Sequence, residues 1–323
     1  MTKINTLAVI TTGGDAPGMN CAIRAVVRTA IYHNLRVFGI RHGWKGMVEN
    51  NIIEMELSSV GNTLNRGGTI LQSARYPDFF KKTKRAVAIS NLRARNIDGL
   101  VVIGGDGSLA AAALLHKEFD FPVVNIPASI DNDIPGTDYT IGYDTAVNTA
   151  VDAIDKIRDT ATSHERVFVV EVMGRGSGSI AINVGLVCGA EAVVIPEYKY
   201  SIESIVESLM AGKRRGKQSF IVVVAEGAAK GHDIGDKIAK KTGLDVRVSI
   251  LGHIQRGGSP TALSREYACK LGNHAVDMLR KGKFGYMVGI QSDKIVATPI
   301  TTVLKTKKKI DLQSYKLAQI LAI

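Results

Sequence analysis

Short apolar runs rich in β-branched residues recur along this chain, and they constrain its fold more than any other feature. Gly, Asp or Pro stands next to several of them; they lie at 7–10, 37–40, 100–103, 123–126, 167–172, 192–195, 220–225 and 246–251. Near-continuous apolar runs of this kind are typical of strands buried on both faces. Helix-period stretches lie between them, including 19–33, 108–117, 145–162 and 202–213. The alternation predicts the α/β class, with parallel sheets covered by helices on both faces.

The length of the chain predicts the number of domains. Its 323 residues are about twice the ~150 of a typical domain, so we expect two. The composition, 45% hydrophobic and 22% charged, is that of a globular protein and excludes a chain disordered throughout. No linker rich in Pro, Ser or Gly divides the sequence. Ligands of open α/β sheets bind beyond the carboxyl ends of strands, so binding residues are expected in the loops there.

The charge balance predicts an anionic partner. Lys and Arg number 41 against 30 Asp and Glu, a net charge of +11, which attracts nucleic acid, acidic lipid or phosphorylated metabolites. Nucleic acid is disfavoured because only 6% of the residues are aromatic and no basic stretch alternates with stacking rings. Part of the excess lies in a C-terminal run that we expect to be solvated: Lys305, Lys307, Lys308 and Lys309.

The cysteines and the apolar runs predict the location of the protein. No run reaches the roughly 18 apolar residues of a membrane helix, and the first apolar stretch is too short for a signal peptide. The three widely spaced cysteines, Cys21, Cys188 and Cys269, are typical of reduced thiols rather than of a disulfide framework or a zinc site. We therefore expect a soluble, cytoplasmic protein without a membrane partner.

Two glycine-rich loops, TTGGDAPG at 11–18 and GGDGS at 104–108, each follow a predicted strand and precede a helix. Glycine lets the backbone approach a bulky anion, and helix-start amides donate to phosphate oxygens, so the pair predicts one polyphosphate spanned between the loops. Neither loop matches the dinucleotide or P-loop pattern. Asp106 among the second set of glycines can reach Mg²⁺ through water. The alternatives are a tight strand-to-helix turn and, for Asp106, an acidic residue favoured by the helix dipole.

A cluster of oxygen-bearing side chains follows the predicted strand at 123–126. It comprises Ser129, Asp131, Asn132 and Asp133. Two carboxylates two residues apart can divide the work of catalysis, one accepting a proton from an attacking hydroxyl and the other orienting a metal or its partner. An Asx turn is the alternative, and it accounts for Asn132 and Asp133 better than for Asp131 beside Ser129.

Arginines at loop edges indicate a phosphorylated ligand. Guanidinium groups bind phosphate bidentately, so several of them at strand ends predict a doubly phosphorylated ground state. They are Arg75, Arg175, Arg247 and Arg256. Each one alone is more typical of a surface charge. His253 alone is more typical of a structural histidine, and its flanking glycines and Arg256 favour a binding role.

In this order, these loops resemble those of the bacterial ATP-dependent 6-phosphofructokinases, from the first strand to about residue 295. The most specific segments are TTGGDAPGMN, GGDGS, SIDNDIPGTDYTIGYDTA, VEVMGR and LGHIQRGGSP. The resemblance implies transfer of the γ-phosphate of ATP to the 1-hydroxyl of fructose 6-phosphate, with Mg²⁺ as cofactor. It also implies an α/β fold of two doubly wound parallel-sheet (Rossmann-like) domains packed across an active-site cleft. Residues 1–139 and 254–304 would bind the nucleotide, and residues 140–253 and 305–323 the sugar phosphate.

The resemblance also implies roles for individual residues. Asp131 would be the base, with Ser129 and Arg175 also catalytic, and Asp106 would serve the metal. ATP would be bound by Gly14, Arg75, Tyr76, Gly105, Asp106, Gly107 and Ser108. Fructose 6-phosphate would be bound by Ser129, Ile130, Asp131, Met173, Gly174, Arg175, Glu226, His253, Ile254, Gln255 and Arg256, with Arg166 and Arg247 reaching over from a neighbouring subunit of a homotetramer.

Two positions favour ATP over pyrophosphate as the donor. Relatives that use pyrophosphate carry a second Asp where Gly107 stands and a Lys where Ala128 stands. A carboxylate at position 107 would crowd and repel the α-phosphate of a nucleotide. The alternatives to an ATP-dependent kinase are therefore a pyrophosphate-dependent phosphofructokinase and a non-catalytic sensor of nucleotide or sugar phosphate. A sensor has no need of Asp131 beside Ser129.

The family's regulatory site for ADP or phosphoenolpyruvate is matched only in part. Asn51 replaces an expected Arg, and Gln218 and Ser219 replace an expected Lys and His. We therefore expect weakened or absent allostery. The positions that would contact the effector are Arg24, Ala25, Val26, Val27, Arg28, Arg158, Gly189, Ala190, Glu191, Arg215 and Lys217.

Overall fold

A computed structural model describes residues 4–322 and divides the chain into two compact units. The first unit ends at Asp144 and resumes with Arg256–Lys308, and the second contains Thr145–Gln255 and continues from Lys309. The strands, in chain order, are β1 Thr6–Thr12, β2 Arg36–Ile40, β3 Ile52–Glu54, β4 Gly99–Gly104, β5 Val123–Ser129, β6 Ile141–Gly142, β7 Val167–Val172, β8 Ala192–Val194, β9 Phe220–Ala225, β10 Val246–Ile250, β11 Tyr286–Gln291 and β12 Lys294–Pro299.

The α-helices alternate with these strands through most of the chain. They are α1 Met19–Tyr32, α2 Gly43–Val48, α3 Lys82–Ala94, α4 Asp106–Phe119, α5 Tyr143–Ser163, α6 Ser179–Val187, α7 Ile202–Arg214, α8 Gly231–Thr242, α9 Ala262–Arg280, α10 Ile300–Lys305 and α11 Leu312–Leu321. Each of the eight predicted apolar runs forms a strand, and each of the four predicted helical stretches forms a helix. The structure therefore confirms the predicted α/β class.

The sheet of the first unit has the order β12-β11-β5-β4-β1-β2-β3, with β6 paired to β5. The central strands β4 and β5 are parallel, and β1 is parallel to both β4 and β2. The two edges differ from the predicted parallel pattern because β3 and β12 are antiparallel to their neighbours. The core is apolar on the central strands and on the helices that cover them, including Leu100, Leu109 and Leu115. The carboxyl ends of β1, β4 and β5 thus meet at one edge of this sheet.

The packing of α1 against α9 requires a small residue. A Cβ on Gly272 of α9 would lie 2.6 Å from the Cβ of Ala25 and 3.0 Å from the carbonyl oxygen of Ala22 on α1. Both distances are below ordinary van der Waals contact, so glycine lets the two helices approach closely.

The second unit is built on a smaller, all-parallel sheet with the order β10-β7-β9-β8. Its core is formed by apolar residues of these strands and of the helices α7 and α8, including Val169, Val222 and Ile234. The C-terminal helix α11 begins after Asp311, whose carboxylate accepts hydrogen bonds from the backbone N–H groups of Gln313 and Ser314. This capping carboxylate satisfies amides that the first helical turn leaves unpaired.

Candidate active site

The two glycine loops lie side by side in the first unit. Thr12, the last residue of β1, is in register with Gly104, the last residue of β4. The Thr12 hydroxyl donates a hydrogen bond to the Ser108 hydroxyl, which in turn donates to the Thr12 carbonyl oxygen at 3.2 Å. A Cβ on Gly104 would lie 2.5 Å from that carbonyl, so this close approach requires glycine. The arrangement brings together the loops predicted to hold one polyphosphate.

A third segment packs on the first glycine loop and carries Arg75 and Tyr76. Ser73 donates a hydrogen bond to the Gly13 carbonyl oxygen at 2.7 Å, and Thr11 donates to the Gln72 carbonyl oxygen at 3.0 Å. Arg75 is exposed, whereas Tyr76 is half-buried against the apolar core. Two of the predicted nucleotide-binding residues therefore lie on a segment tied to the end of β1.

Arg256 lies directly over the first glycine loop. Its guanidinium donates to the Asp15 carbonyl oxygen at 3.2 Å, and its Nε lies 3.7 Å from the Asp15 carboxylate. A Cβ on Gly14 would collide with the Arg256 Nη2. The absence of a side chain at position 14 thus makes room for the guanidinium of Arg256.

Asp106 and Gly107 form the exposed N-terminus of α4. Gly105 precedes the helix, and the space around Gly107 is open: a Cβ built there would meet no described atom within 4 Å beyond its chain neighbours and the local helix backbone. Within residues 4–322, no group of three or more His, Cys, Asp or Glu could hold a metal ion by itself. Mg²⁺ in kinases is held by one or two carboxylates together with substrate phosphates. One accessible carboxylate beside open space and helix-start amides fits a metal that arrives with a polyphosphate.

The loop after β5 carries Asp131, and hydrogen bonds to its neighbouring residues hold this loop in place. Asp131 is only 6% exposed, and its backbone N–H donates to the Ser129 hydroxyl at 3.2 Å. Asn132 adopts a left-handed conformation with φ of +51°. Its side chain accepts a hydrogen bond from the Thr140 N–H at 3.0 Å and donates to the Asp138 carbonyl at 3.0 Å. These bonds fix the backbone on both sides of the Asp131 carboxylate.

The structure corrects the expectation that the C-terminal lysines are all solvated. Lys305, Lys307 and Lys309 are exposed, but Lys308 is half-buried. The Lys308 ammonium donates to the Asn132 Oδ1 and to the Asp138 carbonyl oxygen, both at 2.8 Å. Burial lowers the pKa of Lys308 to about 8, while Asp138 and Asp133 act in the opposite direction. Sequence reasoning missed this contact because its partner lies about 170 residues away.

In the second unit, the loop after β7 is held by side chains from two other segments. Glu226, which follows β9, accepts hydrogen bonds from the backbone N–H of Gly174 at 3.2 Å and of Arg175 at 2.8 Å. Gln255 is fully buried, and its Oε1 accepts from the Met173 N–H at 2.9 Å. Arg175 adopts a left-handed conformation with φ of +51° and is exposed. The predicted residues Met173, Gly174, Arg175, Glu226 and Gln255 therefore lie together.

Arg166 and Arg247 converge on one carboxylate. Arg166 donates to the Asp245 carboxylate at 2.6 Å, and Arg247 donates to it at 3.3 Å. The hydrogen bond from Arg166, with the nearby charge of Arg247, lowers the pKa of Asp245 below its ordinary value. The two guanidinium groups, one just before β7 and one on the neighbouring β10, form a basic patch that can bind an anion. The sequence gives no signal for Asp245, because a single carboxylate before a strand matches no motif.

His253 and Ile254 are exposed on a 3₁₀ turn that ends at the buried Gln255. The same turn therefore presents a titratable ring outward and anchors the loop after β7 through Gln255. Ile130, by contrast, is buried beside Asp131.

The predicted effector residues lie on two separate sets of elements. In the first unit, Ala25, Val26 and Val27 are core residues of α1, while Arg28 is exposed and Arg24 is half-buried. Any contact with an anion from this helix therefore depends on the two arginines.

In the second unit, the effector residues surround the end of α6. Arg158 donates to the Cys188 carbonyl oxygen next to Gly189, Ala190 is buried, and Arg215 is exposed. Lys217 forms an ion pair with the buried Glu191, which also accepts a hydrogen bond from the Ile221 N–H at 2.5 Å. The charge of Lys217 is thus already paired within this unit.

A family model and curated proteins similar to this chain point to the same family. The model of the family described as "Phosphofructokinase" matches residues 6–279. The chain is 54% identical over 317 residues to the ATP-dependent 6-phosphofructokinase of Halalkalibacterium halodurans, covering 98% of this chain and 99% of that protein. It is 52% identical to the enzyme of the same name from Bacillus subtilis, with the same coverage.

Solved structures show the same fold. Phosphofructokinase from Saccharomyces cerevisiae matches 93% of this chain with a TM-score of 0.90 and 35% identity, and this chain spans 45% of that one. A pyrophosphate-dependent phosphofructokinase from Marinobacter aquaeolei matches 99% of this chain and 92% of its own with a TM-score of 0.87, and at 22% identity it bears on the fold alone. Among the described helices, none has the length and apolarity needed to cross a membrane.

Proposed function

This chain belongs to the phosphofructokinase family, and from that premise we propose how its residues phosphorylate fructose 6-phosphate with ATP. The protein acts as an ATP-dependent 6-phosphofructokinase, a kinase of glycolysis that produces fructose 1,6-bisphosphate and ADP. One observation carries the assignment of its residues. The buried Asp131 follows β5, and the two glycine loops follow β1 and β4, so a carboxylate and a phosphate cradle share the same edge of one sheet.

ATP is bound by the loops at the ends of β1 and β4. The amides of Gly14 and of Gly105 to Ser108 donate to the phosphate oxygens, and the exposed Arg75 and the half-buried Tyr76 bind the remainder of the nucleotide. The register of Thr12 with Gly104 supports this proposal, because it sets the two loops next to each other.

Asp106, together with the phosphates of ATP, would hold Mg²⁺. When bound, the ion neutralises charge on the phosphates during transfer. The exposed position of Asp106 at the start of α4 supports this role.

The residues proposed to bind fructose 6-phosphate form two sets, each described within its own unit. Met173, Gly174, Arg175, Glu226, His253, Ile254 and Gln255 come from the second, and Ser129, Ile130, Asp131 and Arg256 from the first. The hydrogen bonds of Glu226 and Gln255 to the loop after β7 support a preorganised sugar site. Preorganised polar groups bind a substrate without the entropic cost of ordering the loop.

The reaction is an in-line displacement. The 1-hydroxyl oxygen of the sugar attacks the γ-phosphorus while the bond from that phosphorus to the bridging oxygen of ADP breaks. The proton of the hydroxyl passes to the Asp131 carboxylate, which the Ser129 hydroxyl helps to orient through the Asp131 backbone. The Arg175 guanidinium stabilises negative charge on the transferred group.

ATP rather than pyrophosphate is the donor. The open space around Gly107 supports this choice, because nothing in the described chain fills the position where pyrophosphate-using relatives carry a carboxylate.

The active enzyme is a homotetramer in the cytoplasm, in which Arg166 and Arg247 bind the sugar phosphate of a neighbouring subunit. The convergence of both arginines on Asp245 supports their acting as one anion site. The free thiols Cys21, Cys188 and Cys269 are consistent with a reducing compartment. Light scattering after size-exclusion chromatography tests the subunit number.

A coupled assay with fructose 6-phosphate, Mg²⁺ and either ATP or pyrophosphate tests the function. We expect aldolase-cleavable product with ATP and at most trace product with pyrophosphate. Equal rates with the two donors would contradict the choice of donor, and no product with either would contradict the function.

A further inference from the structure

Lys308 is not among the proposed site residues, yet its side chain contacts the loop that follows β5. It is the last residue of the first unit, on the segment between α10 and α11. Its ammonium lies 2.8 Å from the Asn132 Oδ1 and 2.8 Å from the Asp138 carbonyl oxygen. Asn132 is the neighbour of Asp131, so a lysine distant in sequence contacts the loop that carries the proposed base.

The Asp138 end of this contact is rigidly anchored. The Asp138 N–H donates to the Ile290 carbonyl oxygen at 2.7 Å, and its carboxylate accepts from the Ser292 N–H at 2.7 Å. Ile290 belongs to β11, which pairs with both β5 and β12. Lys308 therefore bridges the Asp131 loop to a segment fixed on the sheet.

The Asn132 end is a backbone conformation that needs support. An L-residue with φ of +51° is in the sparsely populated left-handed region, and such residues persist where their surroundings determine them. Asn132 is 7% exposed, and its side chain forms hydrogen bonds with Thr140, Asp138 and Lys308. The direction in which the chain leaves Asp131 depends on this conformation.

We infer that Lys308 is a positioning residue of the phosphoryl transfer: by bridging Asn132 and Asp138 it holds the Asp131 carboxylate in line with the attacking hydroxyl. The inference rests on the proposed function. Without Lys308, the Asn132 Oδ1 still accepts from the N–H and the hydroxyl of Thr140. The Asp138 carbonyl oxygen still accepts from the Asn132 Nδ2. Loss of the lysine should therefore loosen the loop and leave the fold intact.

The test compares Lys308→Met with Lys307→Met and Lys309→Met, which remove the same charge from exposed neighbours. Because a displacement of about 1 Å can cost on the order of 100-fold in rate, we expect kcat to fall at least about tenfold in Lys308→Met. The KM values for both substrates should stay within about threefold, since no substrate contact is removed. The two control variants should keep the wild-type kcat.

A chemical rescue separates positioning from a general effect on folding. Lys308→Cys treated with 2-bromoethylamine acquires an aminoethyl thioether, which restores an amine at the length of a lysine after the protein has folded. Wild type treated in the same way controls for Cys21, Cys188 and Cys269, and mass spectrometry verifies the alkylation. We expect kcat to return to within about threefold of the treated wild type.

A loss below tenfold in Lys308→Met, an equal loss in either control variant, or no recovery after verified aminoethylation would each overturn the inference. A wild type that makes no fructose 1,6-bisphosphate would instead overturn the proposed function on which the inference rests.

Discussion

At the scale of single residues, the proposed chemistry depends most on Asp131. Its carboxylate is nearly buried at the end of β5, in the same sheet edge as the phosphate loops. Burial restricts the rotamers of the side chain, and the hydrogen bonds of Ser129 and Asn132 fix the backbone around it. A base held in this way contributes through its position as much as through its basicity.

Replacement of Asp131 by Asn should remove the base while keeping the shape of the side chain. We expect kcat to fall by roughly 10²- to 10⁴-fold, the usual contribution of a general base. Binding of fructose 6-phosphate, measured by isothermal titration calorimetry, should change little. Asp120→Asn is the matched control, because Asp120 has a left-handed φ of +51°, which Asn also tolerates, and no proposed role. A near-normal kcat in purified Asp131→Asn would contradict the assignment.

The thiol of Cys188 should be unreactive at neutral pH. Burial, with the nearby Asp155, raises the pKa of Cys188 to about 11, and Arg158 opposes the shift. Only about one thiol in a thousand is then ionised at pH 8, so alkylation by iodoacetamide should be slow and accelerate about tenfold per pH unit. Because the unfolded thiol ionises first, the free energy of unfolding should also fall as the pH rises from about 9 towards 11. Mass spectrometry of the Cys188 peptide, with Cys188→Ser as reference, measures the rate; a rate that levels off near pH 9 would contradict the raised pKa.

The sequence identified candidate site residues better than it identified the distant residues that form hydrogen bonds with them. Asp131, Arg175 and Arg256 stand in motifs that can be read locally, and the family those motifs indicated is confirmed. Asp245 and Lys308 stand in no motif. Their importance comes from contacts formed across 79 and 176 residues, Arg166 with Asp245 and Lys308 with Asn132. Such pairings are set by the topology of the sheet, so single-sequence reasoning could not find them.

At the scale of elements, the sequence predicted eight strands, including the edge strands β8 and β10 of the second sheet, and missed β3, β6, β11 and β12 of the first. The strands β1, β4 and β9 are buried along their full length, which gives the continuous apolar runs seen in the sequence. The strand β12 alternates between exposed and half-buried residues, and β3 has only three residues. A short or alternating edge strand such as β3 or β12 needs only one apolar face and is stabilised by its neighbour, so its sequence carries a weak signal.

The close packing of α1 and α9 should be sensitive to side-chain volume. Gly272→Leu places its Cβ 2.6 Å from Ala25, so the helices must separate. We expect a loss of about 1–3 kcal/mol in the free energy of unfolding, as for other overpacked cores, measured by urea denaturation. Lys270→Leu, at an exposed position of α9 that loses an exposed ion pair with Glu266 of the same helix, controls for the helix propensity of leucine. Equal stability of the two variants would contradict the packing argument.

At the scale of the whole molecule, part of the positive charge behind the net +11 lies at the proposed anion sites. Arg75 and Arg175 are exposed at loops, and the Arg166 and Arg247 pair shares one carboxylate. The predicted effector positions carry less charge than the family pattern implies. Lys217 is neutralised by Glu191, and Asn51, Gln218 and Ser219 are uncharged. Four arginines remain at these positions, Arg24, Arg28, Arg158 and Arg215.

The loss of charge at Asn51, Gln218 and Ser219 and the pairing of Lys217 predict weak allosteric control. The rate should depend on fructose 6-phosphate with a Hill coefficient of about 1, and ADP or phosphoenolpyruvate should change the half-saturating concentration by less than about fivefold, the lower end of ordinary allosteric coupling. The variant Asn51→Arg adds a guanidinium and should strengthen the response to either anion, because a charge-assisted hydrogen bond to phosphate becomes available. Steady-state kinetics at several effector concentrations, on wild type and on Asn51→Arg, measure both effects. A strongly sigmoidal response of the wild type that ADP reverses would show that the remaining arginines, Arg24, Arg28, Arg158 and Arg215, suffice for regulation.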